Sequence, residues 1–268
     1  MLEKTSNPAF TSEAFNNASY GYAVSNNASY GYAVSNTMTL KGTINKSLTL
    51  LALIFAAAIL TWKMTFSGNA LVTPLMIGGL IVGTIFSFIT IFKPEKAKFT
   101  SIIYAISEGL VLGAISAFYE LATAESESGS LLGNGIVFNA VMLTIGVFFV
   151  MLYLYKNRII QPTQKFMLGI IAATGAIAIV YLVDIVMGFF GSSVGFLHSN
   201  GIVGIGISLI IVAVAALNFI LDFKNVEDSI SRGAPEYMEW YCAFGMMTTL
   251  VWLYLEMLRL LAKFSSRD

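Results

Sequence analysis

The chain has 268 residues, of which 57% are hydrophobic and 11% charged, with 15 basic and 15 acidic side chains in balance. Soluble domains carry roughly 25% charged residues, so a water-facing globular surface is excluded, and a mean hydropathy of +0.78 agrees. The balanced charge offers no basic field for nucleic acid. A single cysteine, Cys242, and a single histidine, His198, exclude an internal disulfide and a Cys/His zinc site.

Residues 1–46 read as a polar tail, expected to be disordered because it lacks the apolar burial that offsets ordering. Within it NNASYGYAVS occurs twice in tandem, at 16–25 and 26–35. Two copies are too few for a solenoid, which leaves slippage in a disordered tail or a Tyr-rich docking element. The tail has no apolar core after a basic start, so the first hydrophobic helix is expected to act as the insertion signal.

Seven apolar segments follow, at about 47–66, 70–92, 99–119, 135–155, 166–190, 201–223 and 240–261. Each is about 20 residues or longer, enough for the ~30 Å hydrocarbon core. Barrel strands would alternate in short runs, so the expected fold is an all-α membrane protein, a seven-transmembrane helical bundle occupying 47–263, with 264–268 as a short tail.

Lys and Arg set the orientation. Lys41 and Lys46 precede the first span; Lys93, Lys96 and Lys98 lie between spans two and three. Lys156, Arg158 and Lys165 lie between four and five, and Lys224 and Arg232 between six and seven. The other two loops have none, and the three–four loop is acidic, with Glu120, Glu125 and Glu127. The N-terminus is therefore expected inside. Seven spans then send the C-terminus out, although Arg259, Lys263 and Arg267 make it basic. Either the last helix spans against the rule or it is re-entrant.

Gly79 and Gly83, and Gly109 and Gly113, form small-xxx-small faces suited to close helix packing. Ionisable groups inside spans are costly and point to function. Four carboxylates qualify: Glu108, Asp184, Asp222 and Glu256. Glu108, about nine residues into its span, has no basic neighbour in sequence, so it either keeps its proton or faces water or a cation. Asp184 sits in the outer half of span five, and Asp222 either ends span six or begins the charged loop. Glu256 has Arg259 one turn on as a candidate ion-pair partner. Depth places Asp184 and Glu256 within ~3–5 Å of one level, so an Asp184–Glu256 pair is easier than an Asp222–Glu256 pair. No HExxH, GxSxG or P-loop occurs, no stable metal site or cofactor is expected, and the chain does not read as an enzyme.

Three segments carry a resemblance. ISEGLVLGAISAFYE (106–120), FILDFKNVEDSI (219–230) and TLVWLYLEMLRLLA (249–262) resemble the third-, sixth- and seventh-helix signatures of the Bax inhibitor-1 family and its bacterial YccA-like members. NPAF (7–10) is similar to the tail of the long bacterial subgroup. The resemblance implies a seven-helix bundle with the last helix central, in a bacterial inner membrane. It also implies a pH-sensitive calcium leak gated by two aspartates on helices six and seven. Asp222 takes the first of those positions; the second falls on Glu256 if LYLE is aligned with the family's LYLD, or on Thr249 if Leu258-Arg259 is aligned instead. Calcium is then a permeant ion and no resident cofactor. The partners implied are the lipid bilayer and, in an alternative non-transporting role, another membrane protein such as a protease.

Overall fold

A computed structural model describes residues 37–123 and 135–266. The tandem repeat at 16–35, Glu125, Glu127 and Arg267 lie outside the described residues. Seven long helices run in order: α1 (Leu40–Phe66), α2 (Val72–Phe92), α3 (Ala97–Thr123), α4 (Ile136–Lys156), α5 (Gln164–Phe189), α6 (Ile202–Ser231) and α7 (Tyr237–Ser265). A 3-10 turn, Pro94–Lys96, precedes α3, and a single helical turn, Gly195–His198, lies between α5 and α6. All seven helices are long and apolar enough to cross a membrane, and the shortest, at 21 residues, already reaches ~32 Å. The chain is an all-α, multi-pass membrane protein.

The helix ends depart from the apolar runs for local reasons. α1 begins at Leu40, so residues 40–46, expected to be tail, are helical. Thr39 caps it, its hydroxyl accepting the Gly42 N–H at 3.0 Å. α6 continues past 223 to Ser231, supported by a Lys224–Asp228 ion pair of 2.6 Å at i,i+4. Gly233, at φ +67, then turns the chain. α7 is one unbroken helix of 29 residues. That length suffices to cross a membrane without a break.

The helices differ in how much protein covers them. In the most apolar stretch of α3 and of α7, 61% of residues are buried, against 50% in α6, 28% in α4, 22% in α1, 17% in α2 and 11% in α5. α3 and α7 are the most buried of these helices, to the same extent. Three of the four intramembrane carboxylates lie on α3, α6 and α7. This is the placement expected where lipid cannot solvate charge.

Packing divides the chain into two compact units, one of residues 1–114 with 221–248 and one of 115–220 with 249–268. In the first, the glycine faces are used for close approach. A Cβ on Gly109 would stand 2.5 Å from the Ile54 carbonyl oxygen, and one on Gly113 would overlap the Ala58 carbonyl, so α3 lies directly on α1. Gly79 does the same for α2, where a Cβ would come 2.8 Å from the Ser107 carbonyl oxygen of α3. The start of α1 is clasped to the start of α7. The Glu239 carboxylate accepts from Thr39 N (2.7 Å) and Thr39 Oγ1 (2.9 Å) and pairs with Lys46 Nζ at 2.5 Å. Alongside, Met38 N donates to the Ala234 carbonyl at 2.7 Å.

In the second unit, Glu120 accepts the Val137 N–H at 3.0 Å and so caps α4. Ser116 and Tyr254 share a hydrogen bond of 2.6 Å. The Asn218 amide donates to Thr174 Oγ1 at 2.9 Å, and Phe148 meets Phe219 edge-on at 5.3 Å between centroids.

Candidate functional site

The intramembrane carboxylates sit in different surroundings. Glu108 is near the middle of α3, half-buried, and lines a cavity of about 250 Å³ within the first unit. The other walls are Thr84, Ser87 and Ile91 of α2, Tyr104 one turn earlier on α3, and Phe244 and Thr248 of α7. The Tyr104 hydroxyl donates to the Glu108 carboxylate, and the Tyr104 ring packs edge-to-face on Phe244 at 5.0 Å and 78°. Gly83 of α2 faces the carboxylate: a Cβ there would stand in ordinary contact with Glu108 Oε2, at 3.7 Å. The cavity therefore sets a carboxylate against hydroxyl oxygens at the depth where the bilayer offers none.

Asp222, in the same unit, is wholly buried. It lies on helix well before the end of α6, so it does not begin the loop. The Lys224 that follows it is engaged with Asp228. Asp222 and Glu239 are both within electrostatic reach of the buried Cys242 thiol, which is hydrogen-bonded with Ser229.

Glu256, in the second unit, is 1% exposed and heavily bonded. Arg259 Nη1 stands 2.8 Å from both of its oxygens. The Tyr181 hydroxyl donates to Oε1 at 2.8 Å and Trp252 Nε1 donates to the same oxygen at 3.3 Å. Arg259 also donates to the Tyr181 hydroxyl and lies 5.0 Å from that ring's centroid. Asp184 lies within electrostatic reach of Arg259 but is bonded elsewhere. Its Oδ1 accepts the Val194 N–H at 2.8 Å and its Oδ2 lies 2.9 Å from His198 Nε2, which pins the turn after α5 onto the helix. At Glu256 the contact from α5 is made by Tyr181, not by Asp184 as the shared depth had favoured.

Lys263 is 5% exposed, its Nζ donating to the Gly204 carbonyl at 3.1 Å and to Ser208 Oγ at 2.8 Å. Two of the three basic residues at the C-terminal end are thereby bonded inside the protein.

Sequence reading missed Tyr181, Trp252 and His198 as partners and the α2 and α7 walls of the cavity. Tyr104 and Trp252 each stand four residues before a carboxylate, on the same helical face, and that spacing is a usable signal. Tyr181, Thr84 and Phe244 come from distant segments, and no local pattern marks them. No group of three or more His, Cys, Asp or Glu able to hold a metal ion occurs among the described residues.

The fold and its polar interior define the class: a seven-span α-helical membrane protein with ionisable groups held inside the spans. Residues 7–266 match the family model described as Bax inhibitor 1 like. The chain belongs to that family. Neither the curated proteins nor the solved structures contain a match to it.

Proposed function

We propose that this protein is a pH-sensitive cation leak pathway of a bacterial inner membrane, with calcium as the permeant ion and without enzymatic activity or a resident cofactor. The observation behind the reading is Glu108, a mid-span carboxylate facing a cavity lined by Thr84, Ser87 and Thr248. Hard cations take oxygen ligands, and a carboxylate at that depth exchanges a proton for a cation as pH changes. Asp222, buried on α6, is the second sensing candidate. Glu256 and Asp184 remain in the set, but their hydrogen bonds with Arg259, Tyr181, Val194 and His198 suit an anchoring role.

The positive loops favour a cytoplasmic N-terminus. The basic C-terminal end opposes this less than its sequence implies, because Arg259 and Lys263 are bonded internally. A cysteine placed at Ser266 is expected to react with an impermeant maleimide from the periplasmic side; reaction from the cytoplasmic side alone contradicts the topology.

The alternative role, a non-transporting modulator of a membrane partner, needs an interaction surface, for which the glycine faces and the tail are the candidates. The glycine faces are occupied by internal packing, which leaves the tail as its support. In calcium-loaded vesicles, reconstituted protein is expected to release calcium at a rate that depends on pH, and Glu108→Gln with Asp222→Asn to flatten that dependence. Absence of flux at every pH contradicts the leak reading.

A further inference from the structure

The Glu108 cavity has a hydrogen-bonding polarity that narrows what it can hold. A hydroxyl has one proton to donate, and those of the hydroxyl walls are already committed. Thr84 Oγ1 donates to the Leu80 carbonyl at 2.7 Å, Ser87 Oγ to the Thr84 carbonyl at 2.8 Å, and Thr248 Oγ1 to the Gly245 carbonyl at 2.7 Å. The Tyr104 proton goes to Glu108. The backbone N–H groups of these helices are used within the helices. What faces the cavity is a set of lone pairs and one ionisable carboxylate, with no side-chain donor free. Such a wall repels anions and leaves neutral acceptors unsatisfied; it suits a ligand that brings both positive charge and N–H donors.

A bare metal ion would be held only weakly here, as a permeant ion must be in order to leave again. Calcium takes about six to eight oxygen ligands, usually with several carboxylates, and here a single carboxylate faces the space. The remaining walls are Ile91, Phe244 and the Tyr104 ring, which offer nothing to a metal ion but accept an alkyl chain. Aromatic rings also attract organic cations. About 250 Å³ is room for several waters, each ~30 Å³ in the liquid, or for a small amine with its chain. The cavity is reached at Thr84, whose side is exposed.

We propose that the cavity lined by Glu108, Thr84, Ser87, Thr248 and Phe244 is a binding site for a protonated primary alkylamine. The ammonium sits among the carboxylate and hydroxyl oxygens, and the chain lies along Ile91 and Phe244. The site is independent of whether the protein conducts ions, because binding is measured without a gradient.

Isothermal titration of the detergent-solubilised full chain with butylammonium chloride tests it, with butan-1-ol, sodium butyrate, sodium chloride and calcium chloride as parallel titrants. Saturable binding of butylammonium is expected. Glu108→Gln should weaken it about tenfold or more, since a hydrogen bond to a charged group is lost. Thr84→Val, at the exposed mouth, should weaken it about fivefold and stands in should Glu108→Gln fail to fold. Equal binding of butan-1-ol or butyrate, or affinity unchanged in both variants, overturns the proposal. Sodium or calcium displacing butylammonium at equal or lower concentration assigns the cavity to bare metal ions and overturns it as well. No binding of butylammonium at all also overturns it, and leaves the leak reading to its own flux measurement.

Discussion

Glu108 and Glu256 are both carboxylates inside apolar helices, yet their surroundings differ in kind. Glu256 is closed in by donors: Arg259, Tyr181 and Trp252 all point at it. Glu108 has one partner from its own helix and otherwise looks onto open, acceptor-lined space. A carboxylate saturated with donors is held in one state and ties helices together. One that faces a cavity can still exchange a proton or a cation. The lesson is that intramembrane charge marks a candidate, and the count of donors around it separates anchor from site.

The largest expected effect is on the anchor. Arg259→Ala strips the hydrogen-bonded cation from a buried carboxylate, and losing one partner of a buried pair costs about 3–5 kcal/mol. Unfolding in detergent should show it, and the double variant with Glu256→Gln should recover part of the loss, since both charges are then gone. A double variant no more stable than Arg259→Ala alone would break the contrast. Next comes Gly113→Leu, whose side chain must displace the Ala58 carbonyl; overpacking of this kind costs about 1–3 kcal/mol. Gly146, with open space where a Cβ would be, should by contrast gain ~1 kcal/mol as Ala through helix propensity. Smaller still is Glu108→Gln, expected to change stability by less than about 1 kcal/mol because the cavity accommodates the amide without burying a new clash. A loss as large as that of Arg259→Ala would make Glu108 an anchor too.

Much of the fold is legible in the sequence because seven apolar runs of this length have no other stable use in water or lipid. Their ends are less so. Thr39 capping and the Lys224–Asp228 pair carry α1 and α6 beyond the apolar runs, and polar helix of that sort looks like loop. The candidate site was half legible. The isolation of Glu108 from basic residues is a property of the chain, as is Arg259 one turn after Glu256. That Tyr181 rather than Asp184 reaches Glu256 depends on height along α5: the two share a face, and one helical turn decides it. The basic C-terminal end misleads for a related reason: Lys263 bonds to Gly204 and Ser208, contacts no local pattern predicts.

The contrast between the two carboxylates meets its sharpest measurement in calcium efflux from reconstituted vesicles across a range of pH. Wild type, Glu108→Gln and Glu256→Gln are compared, each normalised to the amount of folded protein inserted. Glu108→Gln should flatten the pH dependence, whereas Glu256→Gln should lower the yield of folded protein and leave the dependence of each folded molecule as it is. A flat profile in Glu256→Gln beside an unchanged profile in Glu108→Gln would contradict the assignment.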